Sequence, residues 1–281
     1  MTVAKNTILR RIKPMKENKL LRGLCVLTAA LMLGLTGCAS SSDTNGSDAQ
    51  SQADTAEVQS AWTELDQTTI TKEMGMGWNL GNQLEASNAG IPSETTWGNP
   101  TISEDLIKAV KEQGFKTIRI PVSYLDKIGA APDYTIDSAW LDRVQEVVDY
   151  VVGNDLYAII NIHGDGYYTV DKSWLRCVDD NQDEIKDKYE KVWAQIADRF
   201  KDYDQHLIFE SMNEESDNTY GKPNATGYEN INAYNQIFVD TVRKTGSNNE
   251  KRWLLIPGWN TNIEYTAGNY GFVIPTDSGC K

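Results

Sequence analysis

The sequence predicts an α/β protein of the (β/α)8 (TIM) barrel class, of which about five βα units are present. Short apolar runs alternate with amphipathic helical stretches from about residue 60 onward, the pattern of parallel βαβ units. No G-x-G-x-x-G or G-x-x-x-x-G-K motif follows a strand, so a nucleotide-binding open sheet loses support. Polar residues also lie at or near the C-terminal ends of the strands, where barrel enzymes build their sites. These residues are Asn79, Arg119, His163 and Glu214.

The first part of the predicted barrel contains two strands and two helices. Residues 76–80 and 117–122 are the strands. Between them, Ser103 can cap a helix that Gly114 ends. The next helix ends at Gly153 and has apolar residues on one face at helical spacing. That face consists of Leu141, Val144, Val148 and Val151.

The second part contains three strands and two further helices. Residues 157–162 form a near-continuous apolar run, as expected for a strand buried on both faces. Strands are also predicted at 207–209 and 253–256, before Pro257 and Gly258. The intervening helices carry apolar stripes. Their members are Ile185, Tyr189, Val192, Ile196 and Phe200, then Ile231, Tyr234, Phe238 and Val242.

The extent of the predicted domain is residues 60–281, which is short for a whole barrel. A complete (β/α)8 barrel typically needs about 250 residues, and roughly 220 follow residue 60. Five strands are predicted where eight are needed. We therefore expect this domain to be a partial barrel, truncated after about five βα units.

The N-terminal segment, residues 1–37, is predicted to be a bacterial signal peptide. Basic residues precede a short apolar run, and the sequence Leu-Thr-Gly-Cys at 35–38 resembles a lipobox, in which Cys38 receives the lipid. The alternative is an ordinary signal peptide with an incidental cysteine. Residues 38–59 are rich in Ser, Asp and Gln and predict a flexible tether. This organisation predicts an exported lipoprotein on the extracellular side of a bacterial membrane.

The charge distribution bears on possible partners. The chain has 27 basic and 40 acidic side chains, a net charge of −13 at pH 7. Seven of the basic residues lie in residues 1–37, so the remainder is more acidic still. Such a surface disfavours nucleic acid and suits a neutral polysaccharide, although it equally suits solubility alone. We expect a monomer. Cys177 and Cys280 could form a disulfide, which spacing alone does not decide.

The strongest local signal for chemistry is the string LIFESMNE at 207–214. A buried strand leads directly into an amide, Asn213, and a carboxyl group, Glu214. Partial burial at the strand end would favour the protonated form that a general acid needs. Asn213 could bind a sugar hydroxyl. The alternative is two polar loop residues without a catalytic role.

Five motifs, in order along residues 70–275, resemble glycoside hydrolase family 5, and within it the endoglucanases. They are GWNLGN at 77–82, WGNP at 97–100, IRIPV at 118–122, NIH at 161–163 and FESMNE at 209–214. The resemblance implies a (β/α)8 barrel that hydrolyses β-1,4-glucan with retention, without metal or cofactor. Retention uses two carboxyl groups, one an acid/base and one a nucleophile.

The resemblance also implies roles for individual residues. Glu214 matches the acid/base, and Asn213 matches the residue that contacts the sugar 2-hydroxyl. Arg119 matches the arginine that supports the nucleophile, and His163 matches a histidine that lines the catalytic subsite. Three further residues are expected to bind substrate: Asn79, Trp97 and Trp259.

The chain departs from the family pattern in three places. The family's nucleophile is a Glu on a seventh strand, which lies outside the 281 residues, so we expect the chain alone to be inactive. Gly164 stands where a second His is common, and Glu215 stands where Pro is usual. Glu215 would place a like charge close to Glu214.

Three other functions remain open from the sequence. A mannanase, a xyloglucanase or a mixed-linkage glucanase would share the fold, because specificity lies in loops. A non-catalytic glycan-binding lipoprotein would lack the nucleophile even when complete. An open-sheet α/β protein of unrelated function would lack three further βα units.

Overall fold

The computed structural model describes residues 62–219 and 221–277. The predicted signal peptide, the lipidation at Cys38, the tether at 38–59 and the pairing of Cys280 lie outside these residues. Cys177 is buried as a free thiol. Seven strands are described: β1 (Gly77–Asn79), β2 (Ser87–Asn88), β3 (Ile91–Pro92), β4 (Thr117–Ile120), β5 (Tyr157–Asn161), β6 (Leu207–Glu210) and β7 (Leu254–Leu255).

Six α-helices accompany the strands. They are α1 (Gln67–Met74), α2 (Glu104–Glu112), α3 (Ser138–Val152), α4 (Gln182–Phe200), α5 (Ala225–Lys244) and α6 (Ile263–Ala267). The predicted cap is confirmed, since the Ser103 side chain accepts a hydrogen bond from the backbone N–H of Leu106. Among the described residues, none of the helices has the length and apolar character needed to cross a bilayer.

Five of the strands form one parallel sheet in the order β1-β4-β5-β6-β7. Strands that follow one another in the chain are thus neighbours in space. A doubly wound sheet instead reverses its order at a switch point. Sequential parallel order with intervening helices is that of a (β/α)8 barrel, and the predicted class is confirmed. All five predicted strands are present, although β7 has two residues where four were expected.

The two faces of this sheet have different neighbours. Ile118, Ala158 and Phe209 belong to the large core shared with the helices. Residues of the opposite parity, Ile159 and Ile208, pack with Ile70 of α1 in a separate small cluster. Because side chains alternate along a strand, Arg119 lies on the same face as its register partner Ile159. The second face therefore changes from apolar to polar toward the carboxyl ends of the strands.

Helix α1 and the hairpin β2–β3 were not predicted. Asp66 caps α1, accepting from the backbone N–H of Thr69. The hairpin turns at Ala89 and Gly90, both with positive φ. A Cβ on Gly90 would lie 2.4 Å from the backbone oxygen of Asp171, so this position requires glycine.

Arg252 is a fully buried cation two residues before β7. Its five N–H groups donate to the backbone oxygens of Asp204, Leu207, Phe200 and Tyr203 and to Asn249 Oδ1. The guanidinium also lies 4.9 Å from the centre of the Phe209 ring. Burial lowers the pKa of Arg252 to about 9. This side chain joins the end of α4 to the strands β6 and β7.

Candidate active site

Four strands place polar side chains at the carboxyl edge of the sheet. Asn79 is the last residue of β1, Arg119 lies near the end of β4, and Glu210 ends β6. His163 follows β5 by two residues. Because the strands are parallel and in register, these side chains share one edge.

Arg119 is the centre of this group. Its Nε and Nη2 donate to the two carboxylate oxygens of Glu210 at 2.6 and 2.8 Å. Nη2 also donates to Asn213 Oδ1 at 2.7 Å, and Nη1 donates to Asn79 Oδ1 at 3.0 Å. Burial alone would lower the pKa of Arg119, but the contacts with Glu210 outweigh it and raise that pKa. The guanidinium thus connects three strands and fixes the amide of Asn213.

Glu210 is a member of the site that no pattern in the sequence singled out. It is buried, 8% exposed, and its charge is compensated by the bidentate contact with Arg119. The sequence signal that could have identified Glu210 was its position at the end of a buried strand. A buried carboxyl group requires a charged or hydrogen-bonding partner. The expectation that Arg119 supports a nucleophile remains a prediction.

Asn213 and Glu214 are joined by Tyr167, another residue that the sequence did not single out. The Asn213 amide nitrogen donates to the Tyr167 hydroxyl at 2.6 Å, and this hydroxyl donates to Glu214 Oε2 at 3.2 Å. Burial, followed by the charges of Glu214 and Glu215, raises the pKa of Tyr167. The phenol therefore stays protonated and available as a donor.

The two adjacent glutamates differ in burial. Glu214 is exposed, so the predicted partial burial of this carboxyl was wrong. Glu215 is 2% exposed, and neither of its carboxyl oxygens has a hydrogen-bond partner among the described residues. Burial, followed by the charges of Asp165 and Glu214, raises the pKa of Glu215 well above its usual value.

Asp165 is a second buried acid beneath the site. It accepts from the backbone N–H of Tyr124 at 3.1 Å and from the Trp174 indole at 2.7 Å. Burial raises the pKa of Asp165 to about 7, against these two hydrogen bonds, which lower it. The group ties the loop after β5 to the loop after β4.

His163 lies half-buried beside the Tyr167 ring. Burial, followed by the nearby Arg119, lowers the pKa of His163 to about 3. The imidazole is therefore neutral near pH 7. Its predicted contact with substrate stays a prediction.

The three expected substrate-binding residues have different surroundings. Asn79 is exposed and accepts from Arg119. Trp97 is 53% exposed, and its indole N–H donates to the backbone oxygen of Ser87, which leaves ring surface for a sugar. The structure contradicts the expectation that Trp259 stacks on a sugar. Its ring is fully buried against Tyr228 and Gly227.

The arrangement suits proton transfer at a carboxyl group. Glu214 presents an exposed carboxyl next to a fixed amide, and a shallow cleft beside it is bordered by Gly166, Tyr168 and Ser216. Within the described ranges, no group of three His, Cys, Asp or Glu side chains could hold a metal ion. A barrel with such an acid at the carboxyl edge of β6 has the construction of a glycoside hydrolase.

The family follows from comparison with known proteins. Residues 82–279 match the model of the cellulase family, glycosyl hydrolase family 5. The chain belongs to this family, as its motifs predicted.

Relatives and solved structures agree with this assignment. Endoglucanase A of Paenibacillus barcinonensis is 64% identical over 209 residues, which are 74% of this chain and 52% of that protein. A family 5 xyloglucanase from Paenibacillus pabuli is 64% identical with a TM-score of 0.74, covering 75% of this chain and 58% of that one. A broad-specificity endoglucanase from Ruminococcus champanellensis, solved with cellotriose, is 41% identical with a TM-score of 0.71, covering 78% and 64%. The chain thus spans little more than half of the first two proteins.

Proposed function

We propose that the complete protein hydrolyses β-1,4-glucan chains at internal bonds with retention, and that Glu214 is its acid/base. The observation that carries the proposal is the exposed Glu214 carboxyl beside Asn213, whose amide is held by Arg119 and Tyr167. The names of the relatives, endoglucanases and a xyloglucanase, support the substrate class.

Glu214 has two tasks in this reaction. Protonated Glu214 gives its proton to the glycosidic oxygen while a nucleophilic carboxylate bonds to the sugar. The ionised Glu214 then takes a proton from the water that releases the sugar. The nucleophile is expected on the seventh strand of the complete barrel. That strand is not β7, which is the fifth strand of the sheet, and it lies outside the described residues. We expect Asn213 to bind the hydroxyl next to the reacting carbon.

The test is Glu214→Gln in the complete protein, followed by reducing-sugar release from soluble β-1,4-glucan. We expect a loss of roughly 10²- to 10⁴-fold, because such a proton donor contributes this much. Glu229→Gln is the matched control, since Glu229 is exposed on α5 and its substitution should leave activity unchanged. Activity of Glu214→Gln within about tenfold of the parent would exclude the acid/base role.

Xyloglucan is the second candidate substrate. It is favoured by the 64% identity to the Paenibacillus pabuli xyloglucanase. Initial rates on xyloglucan, unsubstituted β-1,4-glucan, mixed-linkage glucan and mannan distinguish the alternatives. A chain that binds these glycans but cleaves none of them would be a glycan-binding protein instead.

We propose further that Cys38 carries a lipid that holds the protein at the outer side of a bacterial membrane. The support is the sequence at 35–38 and the Ser-, Asp- and Gln-rich composition that follows it. Growth with radiolabelled palmitate should label the protein, and Cys38→Ala should abolish the label. Labelling that persists in Cys38→Ala contradicts the proposal.

A further inference from the structure

The hydroxyl of Tyr167 is the direct protein contact of the Glu214 carboxyl. It donates to Oε2 at 3.2 Å while accepting from Asn213 at 2.6 Å. Among residues 62–219 and 221–277, this is the one hydrogen bond of the Glu214 side chain, so its Oε1 has no protein partner there. The two carboxyl oxygens are thereby unequal.

The loop that carries Tyr167 is held in place from below. Gly164 has φ of +84°, which starts a turn closed by the bond from Tyr167 N–H to the Gly164 oxygen. Asp165 is buried and hydrogen-bonded to two neighbouring segments. A Cβ on Gly166 would lie 1.5 Å from Glu215 Oε2, so the loop backbone lies directly on that carboxyl.

The ring of Tyr167 is also oriented from the side. It meets the His163 ring edge to face, with centroids 6.3 Å apart and an interplanar angle of 81°. The hydroxyl can therefore reach the glutamate without a change of the loop. A surface tyrosine with a free rotamer would not define its position in this way.

We propose that Tyr167 is a positioning residue that holds Glu214 by Oε2 and leaves Oε1 as the oxygen that exchanges the proton. The proposal rests on the acid/base function proposed above. The hydroxyl has one hydrogen, which it gives to Oε2. The acid proton of Glu214 therefore resides on Oε1.

In the first step Glu214 transfers its proton to the leaving sugar. The Oε1–H proton passes to the glycosidic oxygen as the bond from that oxygen to the anomeric carbon breaks, and the bonding electrons stay on the oxygen. The departing sugar leaves as an alcohol, and Glu214 is left ionised. The nucleophilic carboxylate forms the new bond to carbon. Tyr167 stabilises the ionised carboxylate, since a hydrogen bond to the charged form favours it.

The test is Tyr167→Phe in the complete protein, with kcat/KM measured on two substrates. One is a cello-oligosaccharide, whose leaving sugar needs a proton. The other is a 2,4-dinitrophenyl β-cello-oligosaccharide, whose leaving group departs without one. We expect kcat/KM to fall roughly tenfold on the cello-oligosaccharide and little on the dinitrophenyl substrate. The reason is that Glu214 must protonate the leaving group only in the first case.

Tyr150→Phe is the matched control, because the Tyr150 hydroxyl donates to Glu146 on the surface of α3 at 2.7 Å. It should leave both rates unchanged.

Two results overturn the inference. Equal losses on both substrates mean that Tyr167 only supports the loop. Full activity of Tyr167→Phe on the oligosaccharide means that it has no role in the step. A parent protein that hydrolyses no β-glycan refutes the proposed function itself, and is recognised before any variant is compared.

Discussion

Replacing Arg119 by Met should destabilise the protein through the loss of a buried ion pair. The Arg119 side chain is 25% exposed and that of Glu210 is 10% exposed, so the pair is largely shielded from water. Removing one partner of a buried pair costs about 3–5 kcal/mol, because the other charge is left uncompensated. Arg119 is partly open to solvent, which favours the lower end of this range. Asn79 and Asn213 each lose a donor, at about 1 kcal/mol apiece. We expect a total loss of about 5 kcal/mol.

The double variant Arg119→Met/Glu210→Met separates the ion pair from the rest of the loss. Replacing both partners by apolar side chains of similar length removes the stranded charge, which is often close to neutral for stability. We expect the double variant to recover about 2 kcal/mol relative to Arg119→Met. With the single variant Glu210→Met completing the cycle, the coupling between the two positions should be at least this large. The assay is equilibrium unfolding of the complete protein in urea at pH 7, followed by tryptophan fluorescence.

The exposed pair Lys108–Glu104 provides the control. Its side chains are 48% and 47% exposed at 3.0 Å, and such pairs couple by at most about 1 kcal/mol. The corresponding Met variants should therefore show little coupling. A coupling between Arg119 and Glu210 no larger than this control would refute the reasoning, since the pair would then contribute no more than a surface contact.

Three further predictions concern the buried groups around the site. Glu215→Gln should raise stability at pH 8 but not at pH 4. Because the folded-state pKa of Glu215 lies above its unfolded value, native stability falls as pH rises, by about 1.4 kcal/mol per unit up to the folded pKa. Thermal melts at both pH values check this, and an equal shift at both contradicts it. Gly166→Ala should cost about 1–3 kcal/mol by urea unfolding, and less in a Glu215→Ala background, where the close contact is gone; equal costs in both refute the clash. Arg252→Met should cost more than about 3 kcal/mol, since four buried backbone oxygens lose a donor; a loss under 1 kcal/mol contradicts this.

The elements of the fold could be predicted because their signals are local. Ser103 caps α2 within three residues, and the apolar stripe of α4 is read over consecutive turns. The hairpin β2–β3 escaped prediction because its two-residue strands are too short to show a period. Likewise α1 buries only Ile70 and has little apolar patterning to detect.

The site was predicted where a residue follows a strand, and missed where it depends on distant loops. Arg119 and Glu214 were found through motifs at strand ends. The contact of Arg119 with Glu210 spans 91 positions, and that of Tyr167 with Asn213 spans 46. No local pattern encodes such pairs. The burial of Trp259 was missed for the same reason, because it depends on the packing of α5 against the loop after β7.

Asn213 links the two halves of the site, which makes their contributions interdependent. Arg119, on strand β4, donates a hydrogen bond to the amide oxygen of Asn213. The amide nitrogen of Asn213 donates to the hydroxyl of Tyr167, which lies in the loop after β5. A planar amide with both ends bonded has one orientation, so the loss of either partner frees the other end. Residues that share a partner are generally non-additive. A change at Arg119 should therefore reduce what Tyr167 contributes to the placement of Glu214. The ion pair of Arg119 and Glu210 acts on Glu214 through this amide.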